Sequence, residues 1–316
     1  DSCAEFAPTG SGGLSSAHSL EIGADGHVYV TSFGSHRVNR YHGESGAFLG
    51  AFVTPGAGGL SSPTDAVFGP NGDLYVTSFG TDCVLRYDGR TGAFIGAFVP
   101  SGAGGLANPE ALAFGPDGNL YVLSGANRNV VRFDGETGAF MDIFIPTGSG
   151  GVLDPHHLFF HDDLLYVTAF GNSKVVRFDA ITGALHDIFV EDDPATAIDE
   201  SGGLVSAHGA QFGPGGDLYV TSFGSDEVLR YHGLTGAFLD VHLSPADGVN
   251  GPIDVLFRAG PSAADLNSDG AVDGADLGLM LSAWGDCEDC PADLDGNGSV
   301  DGADLGLVLA AWTAES

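Results

Sequence analysis

The chain has 316 residues, with Lys and Arg totalling 10 against 42 Asp and Glu, a formal charge of −32 at neutral pH. That balance excludes nucleic acid and anionic membrane as partners, since both need positive charge on the protein. With 43% hydrophobic residues it is no disordered acidic tail, and no uninterrupted apolar run is long enough to span a bilayer. The 51 glycines predict many tight turns. The sequence opens at Asp1 without Met or a signal-like apolar segment, as a processed chain or a fragment does.

Five copies of one unit fill residues 14–250, starting at Leu14, Leu60, Leu106, Val152 and Leu204, with spacings of 46, 46, 46 and 52. In the second copy, four short strands are predicted over 65–68, 73–77, 84–87 and 93–99. Pro70-Asn71-Gly72 and Asp88-Gly89-Arg90-Thr91-Gly92 supply hairpin turns between them. A repeated four-stranded antiparallel unit of this length predicts the blades of a β-propeller. Residues 5–13 match the end of a unit and residues 251–257 match a first strand. The count is therefore five blades with spare edges, or six with an incomplete sixth. Unpaired edges predict a closing contact or self-association through the edge strands. The repeated Phe-Gly-Pro-x-Gly-x-Leu-Tyr-Val, as at Phe68–Val76, is followed by Val-x-Arg-Tyr-Asp, as at Val84–Asp88. This pattern resembles the NHL-type repeat family of propellers, which implies a mainly β fold for residues 1–260 and leaves function open.

Arg40, Arg86, Arg132, Arg177 and Arg230 recur at one third-strand position, as a structural ladder or inter-blade ion pairs. Tyr29, Tyr75, Tyr121, Tyr166 and Tyr219 are assigned to the core, as are Phe33, Phe79 and Phe223 of Ser-Phe-Gly. The insertion over 191–200 reads as a solvated acidic loop. One position varies in chemistry. At the start of the innermost strand the copies carry His18, Thr64, Glu110, His156 and His208, with Ile253 in the final partial copy. The next position carries Ser19, Asp65, Ala111, His157, Gly209 and Asp254. Equivalent positions in a propeller form a ring about its axis. Imidazoles on that ring suit Zn²⁺, or cap the channel through hydrogen bonds. NHL-type propellers include peptidyl-hydroxyglycine lyases with three channel-mouth histidines on zinc. That resemblance implies His18, His156 and His208 as ligands, with Glu110 or Asp65 as base or supporting group. No serine-hydrolase elbow, phosphate-binding loop, dinucleotide fingerprint or His-Glu-x-x-His occurs.

Residues 261–316 hold a duplicated oxygen-ligand loop, each copy followed by a short apolar helix. Positions 1, 3, 5, 9 and 12 are Asp265, Asn267, Asp269, Asp273 and Asp276, then Asp293, Asp295, Asn297, Asp301 and Asp304. Gly270 and Gly298 stand where the loop turns, and Ala271 and Ser299 offer a backbone carbonyl. Oxygen donors at this spacing suit Ca²⁺. Cys287 and Cys290 lie between the loops; without a second pair for zinc they predict a local disulfide, and Cys3 and Cys83 fall in different repeats. The tandem loops, each ending in Asp rather than the Glu of an EF-hand, resemble a type I dockerin of the Cys-containing kind. That implies two bound Ca²⁺, docking to a cohesin-like protein or surface assembly, and an extracellular or cell-surface bacterial setting. The expectation is a noncatalytic binding or structural propeller on a calcium-dependent tether; the alternative is a zinc-dependent lyase at the histidine ring.

Overall fold

The computed structural model describes residues 5–191, 200–257, 263–267, 272–287 and 290–312. The expectations for Cys3, for the inner part of the acidic insertion, and for Asp269, Gly270 and Ala271 fall outside these residues. The chain divides into two compact units, 1–257 and 258–316.

The first unit is a propeller of five blades, each a four-stranded antiparallel sheet with its strands in chain order. Blade one is β1–β4 (Ala17–Ile22, Val28–Ser32, Arg37–Tyr41, Phe48–Val53) and blade two is β5–β8 (Ala66–Phe68, Leu74–Ser78, Cys83–Tyr87, Phe94–Val99). Blade three is β9–β12 (Pro109–Phe114, Leu120–Ser124, Asn129–Phe133, Phe140–Ile145). Blade four is β13–β16 (Pro155–His161, Leu164–Ala169, Lys174–Asp179, Leu185–Val190) and blade five is β17–β20 (Ala207–Phe212, Leu218–Ser222, Glu227–Tyr231, Phe238–Leu243).

The second strand of a blade has a neighbouring blade on each side, so both its faces are buried. Along β6, Leu74 and Val76 pack with Tyr29, Val38 and Phe52 of blade one. Tyr75 points the other way, into the cluster of Phe98, Leu112 and Leu120. Its ring meets Phe98 edge-on at 4.8 Å and Phe114 at 5.0 Å. Such aromatic pairs add about 0.5–1.5 kcal/mol each beyond area burial. The same triad recurs at Tyr29 and Tyr121. The predicted turns hold as well. Asp88 accepts from the backbone N–H of Thr91 at 2.8 Å, and Gly92 takes φ +70°. A Cβ on Gly92 would strike the Phe52 carbonyl of the blade before, so glycine is required there twice over.

The recurring arginines make ion pairs inside a blade, not between blades. Arg132 and Arg177 each pair with the residue opposite on the fourth strand, Asp142 and Asp187, at 2.5 Å. Arg230 pairs with Asp240 in the same way. In blades one and two the opposite residues are Gly50 and Gly96. There the guanidinium pairs with the first hairpin alone, Arg40 to Asp25 at 3.5 Å and Arg86 to Asp73 at 2.5 Å, a contact that Arg132 and Arg230 add to their own with Asp117 at 3.6 Å and Asp217 at 3.8 Å.

The two leftover segments close the ring. Innermost strands are tied to the next sector by side chains that accept its backbone N–H. Glu21 accepts from Phe68 at 3.3 Å and Asp65 from Leu112 at 3.0 Å. The same ties join blade five to residues 253–257, and those residues to blade one. Gln211 accepts from Phe257 at 2.8 Å, and Asp254 accepts from Leu20 at 2.9 Å. Residues 253–257 thus hold the place of a sixth innermost strand without a ladder of their own. On the outside, Tyr41 Oη donates to the Ser11 carbonyl at 2.8 Å, as Tyr87 does to that of Ala57 at 2.9 Å.

The second unit contains α1 (Gly274–Ser282), β21 (Gly285–Asp286), β22 (Ser299–Val300) and α2 (Gly302–Ala310). Its core is small: Ala264, Val272, Met280, Ala292, Val300 and Val308. Cys287 and Cys290 are joined by a disulfide, whereas Cys83 is a free thiol buried in blade two.

Candidate functional site

The propeller channel gathers the histidines. A one-residue irregularity between Ala17 and Leu20 in β1, repeated between Ala207 and Ala210 in β17, sets His18 and His208 at the entry to the innermost strands. His156 Nδ1 and His208 Nε2 lie 3.1 Å apart, and the His18 and His208 ring centroids are 5.3 Å apart. The backbone of Thr64 lies beside His18 and that of Ile253 beside His208, where each favours the charged ring. Glu110 lines the same narrow space, and Asp154 lies 3.7 Å from His156 Nε2.

Burial controls the charges here. Desolvation, helped by the neighbouring His156, lowers His18 to about 4. It takes His208 well below the usual histidine range, with further push from His156 and His18. His156 is lowered by burial too, and Asp154 works against that. All three imidazoles are therefore neutral at pH 7. Burial, then repulsion from Asp154, raises Glu110 to about 7. Neutral imidazole is the form that binds zinc or takes a proton. For zinc the geometry is incomplete. Among the described residues, Asp293, Asp295 and Asp304 form the one trio of acidic, His or Cys side chains with ligand atoms all within 4.8 Å of one another. The histidine trio is not brought together in that way, and no step is assigned to zinc. Asp65 stands beside this space as a tie: it accepts from Ala66 at 2.8 Å and from Leu112, so both its oxygens are engaged.

The phenylalanines of Ser-Phe-Gly, expected in the core, are not fully enclosed by it. Phe33 and Phe79 are half-buried and Phe223 is 40% exposed. Phe33 and Phe223 stand, with Phe170, beside the histidines, and Phe79 stands behind Phe33. Phe33 stacks on His18 at 5.9 Å, Phe170 sits 4.7 Å from His156, and Phe223 lies 6.4 Å from His208. Phe33 meets Phe79 at 5.8 Å and Phe170 meets Phe223 at 5.8 Å. These residues begin the turns after each second strand, where a side chain faces the channel mouth. In blade three that position is Gly125, and a Cβ there would come within 2.8 Å of Glu110 Cγ. Comparing the repeats position by position would have exposed both Phe170 and the Gly125 exception.

Below the histidines the channel widens into a cavity of about 320 Å³, bounded by Glu21, Asp65, His157, Gln211 and Asp254 among apolar residues. Burial raises Glu21 to about 7, against the Phe68 N–H that favours its charged form.

In the second unit Asp293, Asp295 and Asp304 converge. Asp304 is fully buried and accepts from Leu294, Asp295 and Asp301 N–H groups at 2.7, 3.1 and 2.8 Å. Asp276 does the same in the first loop, with Leu266, Asn267 and Asp273 at 2.8, 3.1 and 2.9 Å. Asp273 and Asp301 are helix N-caps, accepting from Ala275 and Ala303. Asn297 Oδ1 accepts from the Ser299 N–H at 2.9 Å, turning the second loop, and Asp265 is buried at the start of the first. Hard carboxylate donors within 4.8 Å of one another fit a cation that holds oxygens at 2.3–2.6 Å. Asp293, Asp295 and Asp304 would hold Ca²⁺ in the second loop, and Asp265 and Asp276 in the first.

No protein-family model matches the chain, and no curated protein matches it in sequence. Solved structures do. A virginiamycin B lyase from Staphylococcus aureus is 21% identical with TM-score 0.55, over 77% of this chain and 74% of that one. A catalytically inactive histidine-to-alanine variant of that lyase with quinupristin is 20% identical, also at 0.55, over 77% and 74%. A nidogen/laminin complex gives 16% identity and TM-score 0.59, over 77% and 84%. At these identities the likeness establishes the propeller fold.

Proposed function

We propose that the chain is a propeller binding module carried on a calcium-dependent tether, working outside the cell or at its surface. The convergence of Asp293, Asp295 and Asp304 carries this reading. A unit with so small an apolar core gains from a cation that neutralises buried carboxylates such as Asp276 and Asp304. The partner of the tether would be a cohesin-like protein or a surface assembly. The propeller would present its ligand at the channel mouth; a binding role accords with a neighbour taken from a nidogen/laminin complex.

Both tryptophans, Trp284 and Trp312, lie in the tether, so their fluorescence reports on it alone. Chelation of the full chain is expected to shift their emission to the red, and about two Ca²⁺ per chain restore it. Asp304→Ala should abolish one of the two binding events. A chain that takes up no calcium, with unchanged emission in chelator, overturns the tether.

The 3.1 Å contact of His156 with His208 favours a second reading, a lyase. Neutral His156 or His208 would remove a proton from carbon, and protonated Glu110 would give one to the leaving group as its bond breaks. The neighbouring virginiamycin B lyases accord with it. Zinc retained by the full chain after dialysis, and lost in His156→Ala, would put a metal in place of this acid–base pair.

A further inference from the structure

We propose that the channel mouth selects small cations with an aromatic ring, an arylalkyl ammonium being the simplest. The proposal rests on the reading of the mouth as the ligand face, and deepens it. Phe33, Phe170 and Phe223 stand against the histidines, with Phe79 against Phe33, and all four rings keep part of their apolar surface open to solvent. Aromatic faces and edges accept another ring, and their faces also attract ammonium.

The collar is interrupted at blade three and at the closing sector, where residues 253–257 lead to no second strand. Blade three carries Gly125 where the others carry phenylalanine, and Glu110 fills the space a side chain would take. Its carboxyl makes no hydrogen bond to any described residue, unlike Asp65, whose two oxygens are used. Asp154 adds a second, exposed carboxylate on the same side. Opposite this pair stand the neutral imidazoles of His18, His156 and His208 and the carboxyl of Asp65, with no cationic side chain among the described residues lining the space. A ligand lying in the collar would therefore meet apolar surface on most sides and negative charge at the gap. The overall charge of −32 raises the local concentration of cations and repels anions. The titratable groups around Glu110 are Asp154, His18, His156, His157, His208, Asp65 and Asp254. Since Glu110 ionises at about 7 and the histidines stay neutral above that, cation binding should tighten from pH 6 to pH 8.

The test is titration calorimetry on the calcium-loaded full chain with 2-phenylethylammonium and, as its anionic counterpart, phenylacetate. The ammonium is expected to bind at least tenfold more tightly, and more tightly at pH 8 than at pH 6. Glu110→Gln should remove the preference, and Phe170→Ala should weaken both probes. Gly125→Ala displaces Glu110 without deleting it and should also reduce ammonium affinity; unchanged melting of the variants excludes misfolding as the cause. Equal binding of the two probes, lost in Phe170→Ala, would keep the mouth as ligand face and overturn the cation preference. Binding of neither probe overturns both.

Discussion

The interface between blades one and two and the closure between blade five and blade one use the same inner contacts and different outer ones. In both, a side-chain oxygen takes the next sector's N–H, Glu21 to Phe68 in one and Gln211 to Phe257 in the other. In both, a second-strand tyrosine meets the Phe of the next innermost strand, at 5.0 Å for Tyr29–Phe68 and 4.6 Å for Tyr219–Phe257. Further from the axis they diverge. Phe52 is buried, whereas His242 stands in its place on blade five and is exposed. On blade one's facing side, the buried Asn39 occupies the position of Leu85, Val131, Val176 and Leu229. Its Nδ2 donates to Tyr41 Oη at 3.0 Å. The ring is therefore closed by the layer nearest the axis, and the sequence turns polar where no complete blade covers it.

The comparison can be broken first by truncating equivalent tyrosines. Tyr121→Ala, in a complete interface, is expected to cost about 3–5 kcal/mol, the range for large buried aromatics. Tyr219→Ala should cost about half as much, because Tyr219 is only partly buried at the closure whereas Tyr121 is fully buried. Equal losses in urea unfolding would mean that the closure is as densely packed as the other interfaces. Next, Asp254→Ala leaves the Leu20 and Val255 N–H groups without their acceptor, at a cost of about 1–3 kcal/mol. Asp65→Ala removes the matching tie between blades two and three and should cost about the same. A negligible loss for Asp254→Ala alone would show that residues 253–257 do not hold the ring.

The smallest effect concerns pH. Glu21 has a folded value near 7, raised above its ordinary 4.5 by burial. Folding therefore favours the protonated form, so stability is highest below about 4.5, falls as pH rises to about 7, and is level above. Gln211 performs the same tie without charge. Glu21→Gln should thus leave stability near pH 4.5 unchanged and raise it at pH 8 by about 1–2 kcal/mol. A variant no more stable than the parent at pH 8, by melting at the two pH values, would contradict the buried charge.

The repeat length, strand positions and turn residues determined the four-stranded blade from the sequence alone, because each blade is built from contacts a few residues apart that recur every 46 or 52 residues, but they left the count at five or six. The loop spacing and the Cys287–Cys290 pairing were legible for the same reason: their partners are neighbours in the chain. The direction of the arginine pairs was not legible, since it depends on whether the residue across the ladder is Asp142 or Gly96. Nor was the phenylalanine collar. A large apolar side chain ordinarily signals core, and only the closing of the ring leaves this turn position at an open mouth. The contact between His156 and His208, the gap at Gly125 and the place of residues 253–257 join residues far apart in the chain. The tertiary structure alone decided them, because the radius of the ring, and not any local preference, sets which side chains meet at the axis.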